Sequence, residues 1–359
     1  MILYWLVFLL LSAFAFVESK RVTNNGFLDS SLNPLWFFII IFLTLFIGLR
    51  FQVGGDWGSY ELYFDLVSYN DFSEIFDVRH DMGYAALNWI ASKLGYSIYL
   101  VNFICAFIFT YGLCYLCRSL PRPFLALCVS FPYLITVVAM GYTRQSVAIG
   151  LSMIAIIVLT KQRLFIFSFL ILLAALFHKT ALLLFGLAFL AASKNRFLIS
   201  IGLLILLYFG YIGFLSESFE LFYRFYVLND YQSEGALVRV SMLLLPSLIF
   251  LIWPHRFNLN SFQKQLWIWF ARISILLFVM LFVTSASTAI DRLALYFLPI
   301  QMIIFSYMPE IFYKKGELNH LIVLAIIGYY SVVLFVWLNF ATFSIYWKPY
   351  SNYFLNFNG

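Results

Sequence analysis

The sequence predicts an all-α polytopic membrane protein, and three observations support this fold class. Hydrophobic residues make up 64% of the chain and charged residues 11%, whereas soluble domains contain roughly 45–50% and about 25% respectively. Apolar runs close to the ~20 residues that cross a bilayer recur along nearly the whole chain. The basic residues stand in short clusters between those runs, a pattern typical of topology signals and not of a nucleic-acid-binding surface.

The apolar runs predict about 10–12 transmembrane helices in a single integral membrane domain covering residues 1–359. The segments lie at 2–17, 34–49, 96–116, 123–140, 145–160, 164–192, 197–215, 239–253, 265–284, 293–309 and 319–342. The first segment has no basic stretch before it, so we interpret it as a span and not as a signal peptide.

The segment 164–192 is too long for one untilted helix and is interrupted near its middle by His178, Lys179 and Thr180. We predict a helical hairpin there; the alternative is one long crossing. With the hairpin, one side receives most of the basic clusters and is the cytoplasm by the positive-inside rule. Those clusters are Lys20/Arg21, Arg118/Arg122, Lys161/Arg163, Lys194/Arg196, Arg256/Lys264 and Lys314/Lys315. The opposite side receives the loops 50–95 and 216–238.

The first outer loop begins GLRFQVGGDWGSYELYF and is the stretch richest in chemical groups. Two consecutive glycines allow a sharp turn, which brings Arg50 toward Asp56. Asp56, Trp57 and Tyr60 together have the composition of a sugar-binding surface, with a carboxylate for hydroxyls and rings for stacking. The alternative is an arginine anchor beside a capped turn.

The motif GYTRQSVA places Arg144 and Gln145 at the outer end of a span. A buried cation there needs a partner. An arginine fork can bind two phosphate oxygens, and a helix N-terminus adds backbone donors, so the pair predicts an anion site. Snorkelling of Arg144 to the lipid headgroups is the alternative.

The motif LFHKTALLL places His178 and Lys179 inside an apolar run, where ionisable residues usually face protein or water. A neutral His178 can accept a proton from a sugar hydroxyl, whereas a charged one can bind phosphate. The sequence alone leaves both roles open.

The motif DRLALYF begins a later span with Asp291 and Arg292, and Tyr296 follows on the same helical face. This is a third anion-site candidate. An Asp291–Arg292 salt bridge that only fixes the helix end is the alternative. The loop 216–238 mixes acidic, basic and aromatic residues and has the composition of a lid, or of a solvated connector.

The sequence predicts no metal and no cofactor. Cys105, Cys114, Cys117 and Cys128 fall in or beside apolar segments, and no second Cys or His pair completes a zinc site. No Asp-x-Asp pair suggests a divalent cation.

Taken in order, GLRFQVGGDWGSY, GYTRQSVA, LFHKTALLL and DRLALYF make the chain resemble the EpsG family, a branch of the Wzy-type polysaccharide polymerases. The resemblance covers most of the chain. It implies a GT-C-like, membrane-embedded glycosyltransferase that acts on polyprenyl-pyrophosphate-linked oligosaccharides at the outer face of a bacterial cytoplasmic membrane. The positions that match the family are Arg50, Asp56, Tyr60, Arg144, Gln145, His178, Asp291, Arg292 and Tyr296.

For such an enzyme we expect three arginines, Arg50, Arg144 and Arg292, to clamp the departing pyrophosphate. Either His178 or Asp56 would act as the base. Substrate-binding residues would be Arg50, Trp57, Tyr60, Gln145, Asp291 and Tyr296. Inversion at the anomeric carbon is implied by the family. Membrane lipids, a chain-length regulator and a flippase are the further partners.

Two rival functions stay open at this stage. A flippase for the same lipid-linked sugar would also need many helices and cationic groups, but it should carry polar residues along a midplane cavity and show paired repeats. An outer-face acyltransferase would need a base on a loop, for which His80-Asp81 is the one faint candidate.

Overall fold

The computed structural model describes residues 1–18, 33–74, 81–191, 235–284, 287–311 and 320–355, and within them the secondary structure is helical. The α-helices, numbered over these residues, are α1 Ile2–Val17, α2 Pro34–Gly48, α3 Trp57–Tyr69, α4 Met82–Lys93, α5 Ile98–Arg118, α6 Pro123–Ser130, α7 Thr143–Thr160, α8 Leu164–Ala175, α9 Phe185–Ala191, α10 Ala236–Ser241, α11 Leu244–Ile252, α12 Ser261–Met280, α13 Ser287–Ala294, α14 Pro299–Ile311 and α15 His320–Phe340. A π-helix, Phe131–Ala139, continues α6, and 3₁₀ helices cover Lys179–Leu184, Pro254–Arg256, Leu295–Phe297, Thr342–Trp347 and Tyr353–Leu355.

Within the described residues, helices cover most of the predicted apolar segments, and together with their apolar composition this makes the chain a multi-pass membrane protein. By length and composition, α5, α7 and α15 can each cross a bilayer. The bent pair formed by Ser287–Phe297 and Pro299–Ile311, which meet at 43°, makes a fourth candidate. Large apolar side chains such as Leu6 and Phe335 are exposed along α1 and α15, as expected for helices that face lipid.

The predicted count of 10–12 spans is only partly reached, because several apolar segments are divided into shorter helices. The segment that begins at Pro123 changes to a π-helix at Phe131, next to Pro132, which cannot donate a backbone hydrogen bond. A helix of 12–17 residues is roughly 18–26 Å long, shorter than a hydrocarbon core of about 30 Å. The predicted segment 197–215 lies outside the described residues.

The segment 164–192 breaks where the sequence predicted. Helix α8 ends at Ala175, and His178 takes an extended conformation (φ −159°, ψ 110°) before the 3₁₀ helix begins at Lys179. Helix α8 packs mainly on α7, whereas α9 packs mainly on α12. A continuous crossing helix is therefore excluded; the return of the chain to its starting face remains a prediction.

Helix α7 lies at the centre of the bundle. In its apolar 18-residue stretch 89% is buried inside the protein, compared with 28% for the corresponding stretch of α15. It packs closely on α5 through Gly112 and Gly150. A Cβ atom at Gly112 would lie 2.0 Å from the carbonyl oxygen of Gly150. Helix α2 approaches α5 in the same way at Gly48, where a Cβ would lie 2.7 Å from the Phe103 Cα. In lipid no hydrophobic effect drives helices together. Van der Waals packing stabilises their association instead, and small residues allow the helix backbones to approach closely.

Charged residues gather at two ends of the bundle. At one end, Arg122 forms a salt bridge with Glu310 (3.0 Å) and donates to the Glu18 carbonyl (2.9 Å). The opposite end carries Arg50, Asp56, Asp81, Arg144 and His178, and we call it the site end. Which membrane face each end meets stays a prediction.

The C-terminal segment closes the site end. The Trp347 indole donates to the Thr136 carbonyl (2.7 Å) and the Tyr353 amide donates to the Leu49 carbonyl (2.8 Å). The Gly54 amide donates to the Tyr346 carbonyl oxygen. Gly54 has a φ of +112°, and a Cβ atom at this position would lie 2.4 Å from the Met140 carbonyl oxygen. The loop 49–56 is thus held between the C-terminal segment and the start of α7.

We expect Gly112→Ala to lower the midpoint of thermal unfolding, because the added methyl group cannot fit against the Gly150 backbone. The free-energy cost should be about 1–3 kcal/mol, as for other overpacked sites. Gly328→Ala is the matched control, since a Cβ at Gly328 meets nothing within 4 Å. Equal midpoints for the two detergent-solubilised variants would contradict the close α5–α7 contact.

Candidate active site

Arg50 fixes the loop at the site end from inside. Its side chain is 1% exposed. The guanidinium donates to the Val53 carbonyl (3.0 Å), the Ile47 carbonyl (2.9 Å) and the Thr143 hydroxyl (2.8 Å). Since Thr143 begins α7, Arg50 attaches the loop 50–56 to the helix turn that carries Arg144. Each of the three guanidinium nitrogens of Arg50 thus donates to a protein oxygen, and the pyrophosphate contact of Arg50 stays a prediction.

Trp57 and Tyr60 lie in the first turn of α3 and are also interior. Trp57 is 7% exposed, and the Arg50 guanidinium carbon lies 5.6 Å from its ring centroid. Tyr60 is 8% exposed and packs edge-on against Tyr84, with ring centroids 5.7 Å apart. Its hydroxyl hydrogen-bonds to Arg144. Both rings are thus packed against protein in this structure, and their role in sugar binding stays a prediction.

Arg144 is held beside Asp81. Its Nη1 lies 3.2 Å from Asp81 Oδ2, and the Arg144 side chain stays 28% exposed. The Asp81 carboxylate also accepts the backbone N–H of Lys179, which joins the start of α4 to the break after α8. Burial raises the pKa of Asp81 from 3.8 to about 6, against the lowering effect of Arg144 and Lys179.

Asp56 faces the same arginines. It precedes α3 without capping it through its side chain. Burial raises the pKa of Asp56, while the positive charges of Arg292 and Arg144 oppose the shift. The same two arginines lie within electrostatic range of His178. The four predicted catalytic residues, from four separate segments of the chain, therefore converge, and each is half-buried.

His178 is oriented by two hydroxyl groups. Its Nδ1 lies 2.5 Å from Thr180 Oγ1 and 3.3 Å from Tyr296 Oη, and Thr180 donates to Tyr296 at 3.2 Å. Tyr296 comes from the 3₁₀ turn after α13, so this network joins the 178–180 break to α13. Within the described residues, the other ring nitrogen, Nε2, makes no hydrogen bond.

Two further contacts place Arg292. Gln145 in α7 donates to the Arg292 carbonyl (2.8 Å), and this fixes the backbone of α13. Arg239 in α10 binds Asp291 through both carboxylate oxygens, at 3.0 and 2.6 Å. Asp291 thus has an ion-pair partner outside its own helix. A bidentate pair of this kind restrains both helices more tightly than a single contact does.

The predicted residues divide into two groups by exposure. Asp56, Arg144, His178 and Arg292 are half-buried, whereas the six predicted substrate-binding residues are buried. The buried six are Arg50, Trp57, Tyr60, Gln145, Asp291 and Tyr296. The arrangement joins two guanidinium groups, an imidazole and a carboxylate. It can bind an anion and accept a proton in one place.

Sequence reasoning missed three contributors to this site. Asp81 was considered only beside His80, although an Asp directly before a helix is a recognisable pattern. Thr180 stands two residues after His178, a spacing that suits a local hydrogen bond. Arg239 gave no pattern of its own, because its partner Asp291 is far along the chain. His80 and most of the loop 216–238 lie outside the described residues.

Comparison with known proteins gives one match. The model of the EpsG family matches residues 33–352, which is most of the chain and includes every residue of the candidate site. No curated protein and no solved structure matches the chain.

The shifted pKa of Asp81 predicts how stability depends on pH. Because its pKa is raised in the fold, the folded state takes up a proton between about pH 4 and 6 that the unfolded state does not. The free energy of unfolding should therefore fall as pH rises through this window, by at most roughly 3 kcal/mol. Asp81→Asn should flatten the dependence of the thermal midpoint on pH. An unchanged slope in the variant would contradict the assignment of this pH dependence to Asp81.

The Arg239–Asp291 pair should behave as one unit. We expect Arg239→Gln and Asp291→Asn each to lower the thermal midpoint, because each leaves a largely buried charge without its partner. The double variant should be no less stable than the less stable of the two single variants, and the coupling energy between the two side chains should be on the order of 1–3 kcal/mol. Additive losses in the double-mutant cycle would show that the two side chains act independently.

Proposed function

The chain belongs to the EpsG family of Wzy-like polysaccharide polymerases, and on that premise we propose that it joins polyprenyl-pyrophosphate-linked oligosaccharide repeat units on the outer face of the bacterial cytoplasmic membrane. One observation carries the proposal: Arg144 and Arg292 converge on the same carboxylate and imidazole at one end of the bundle. A lipid-linked diphosphate reaches such a site from the bilayer, with its charged part at the membrane surface.

The two arginines would stabilise the leaving group. Pyrophosphate is already a good leaving group, so the main task is to neutralise the negative charge that grows on the departing oxygen. Guanidinium groups fixed in advance do this without reorganising during the reaction. The Arg144 guanidinium is fixed by Asp81 and Tyr60, and the Gln145 contact fixes the backbone that carries Arg292. Their placement before substrate binds supports this role.

We assign the proton acceptor to His178. If Thr180 donates its hydroxyl proton to Tyr296, its oxygen accepts Nδ1–H of His178. The lone pair then lies on Nε2, which is the correct tautomer for a base. Asp56 is placed to orient the acceptor hydroxyl, because its carboxylate lies beside the same arginines and does not cap its own helix.

The reaction is a single displacement at the anomeric carbon of the donor sugar. The acceptor hydroxyl oxygen forms the new glycosidic bond, and its proton passes to Nε2 of His178. The bond from the anomeric carbon to the phosphate oxygen breaks, and its electron pair leaves with the polyprenyl pyrophosphate. Attack opposite to the leaving group inverts the anomeric configuration, and the growing chain is transferred onto the new repeat unit.

The buried residues behind the site act as positioning residues. Arg50 and Trp57 fix the loop that carries Asp56, whereas Tyr296 orients His178. Asp291 ties α13 to α10, and Arg292 follows it directly in the chain.

The flippase is disfavoured because the charged pairs gather at the ends of the bundle and not along a midplane. An acyltransferase centred on Asp81 is disfavoured because Arg144 and Lys179 already bind that carboxylate.

We expect Arg144→Ala and His178→Ala to reduce polymer formation by at least about 100-fold, the usual loss on removing a charge-stabilising group or a base. The variants are expressed in a strain lacking the gene, and lipid-linked glycans are separated by size. Arg272→Ala and His255→Ala are matched controls. Arg272 is exposed and stacks on Trp269 at 5.0 Å, and His255 lies in a separate 3₁₀ turn. Membrane levels of all four variants are compared by immunoblot.

Accumulation of single repeat units on the outer face, with loss of long chains, would support the polymerase. Retention of those units on the cytoplasmic face would identify a flippase and overturn the catalytic assignments. Equal losses in the control variants would show that the effect is not specific to this site.

A further inference from the structure

An apolar cleft begins directly beside the candidate site. It has a volume of about 210 Å³ and lies between the segment 180–190 and helices α12 and α13. Its walls include Leu183, Leu187, Leu190, Ile273, Leu277 and Leu293. Thr180 and Tyr296 supply the only hydroxyl groups among the lining residues that the structure describes.

Those two hydroxyl groups connect the cleft to the catalytic cluster. Thr180 and Tyr296 are the same residues that contact Nδ1 of His178, at 2.5 and 3.3 Å. The cleft therefore has a polar mouth at the imidazole and an apolar interior beyond it. A ligand that fills it must have a charged or polar head joined to a hydrocarbon body.

Gly186 lines the cleft. It lies inside α9, where glycine is less favourable than alanine. Close packing does not explain a glycine at this position, because a Cβ atom at Gly186 would meet nothing within 4 Å. A larger side chain at this position would point into open space that the cleft otherwise provides.

We propose that this cleft binds the first isoprene units of the polyprenyl donor, next to the diphosphate. The inference rests on the proposed function and adds to it the site of the lipid tail. An apolar cavity of about 150 Å³ accommodates benzene, so the observed volume corresponds to roughly one to two isoprene units. The cleft takes one chain, and the neighbouring Arg144 and Arg292 match a diphosphate. A phospholipid has two chains and one phosphate.

The test uses the full-length protein in lipid nanodiscs and a benzophenone-bearing polyprenyl diphosphate as the photoprobe. Labelling of the wild type should map to the segment 179–190, as read by mass spectrometry. Gly186→Trp should reduce labelling at least tenfold, and the smaller Gly186→Leu should reduce it less. Gly328→Trp is the matched control, because Gly328 is also a helical glycine with nothing within 4 Å of an added Cβ. Its labelling should equal that of the wild type.

Competition separates the two lipid sources. Excess unlabelled polyprenyl diphosphate should abolish labelling, and the same excess of phosphatidylglycerol should leave it unchanged. Equal competition by the phospholipid would make the cleft a general lipid site and overturn the inference, as would full labelling of a Gly186→Trp protein whose thermal midpoint matches the wild type.

The two proposals fail in different ways. A His178→Ala protein that is labelled normally but makes no polymer supports both. Labelling of the cleft in the wild-type protein, combined with a failure of the wild-type gene to restore polymer in the strain that lacks it, would contradict the proposed function and leave the cleft assignment standing. Normal polymerisation by Gly186→Trp would contradict the cleft and leave the polymerase standing.

Discussion

The buried guanidinium of Arg50 is the interaction on which the site end depends. It binds three neutral oxygens, from Ile47, Val53 and Thr143, and lies against the Trp57 ring. A cation so deeply buried is stable only while its donors are satisfied, because desolvation otherwise costs several kcal/mol. The loop therefore has one arrangement in which the charge is accommodated. That arrangement brings the Asp56 carboxylate close to the start of α7.

The rest of the site follows the same division of labour. Gln145 and Asp291 are buried and bind other parts of the protein, whereas the half-buried residues of the site keep an accessible face. Gln145 binds a backbone carbonyl, and the Asp291 carboxylate is bound at both oxygens by Arg239. These contacts matter in a membrane protein, because a polar group cannot obtain water from the surrounding lipid. Positions of the reactive groups are therefore set before substrate arrives.

The sequence predicted the helices and the polar motifs well, because apolar periodicity and composition are local. It also predicted the break at His178, since a charged pair inside an apolar run is conspicuous. It did not predict that the six substrate-binding candidates are buried. Trp57 looked like a stacking platform, yet tertiary packing covers its ring. The partner of Asp291 was equally hidden, because Arg239 lies 52 residues away and only the fold brings the two together. The span count exceeded the observed crossing helices because hydropathy does not report where an apolar segment bends.

The 3₁₀ helix after His178 has a geometric consequence. Such a helix has three residues per turn and rises about 2.0 Å per residue, so side chains three positions apart lie above one another. Thr180 at the polar mouth and Leu183 on the apolar wall are spaced in this way, roughly 6 Å apart along the axis. For the lipid proposed above, one helical turn would separate the polar group at the mouth of the cleft from the first contacts of the hydrocarbon chain. This distance would not depend on which sugar the lipid carries.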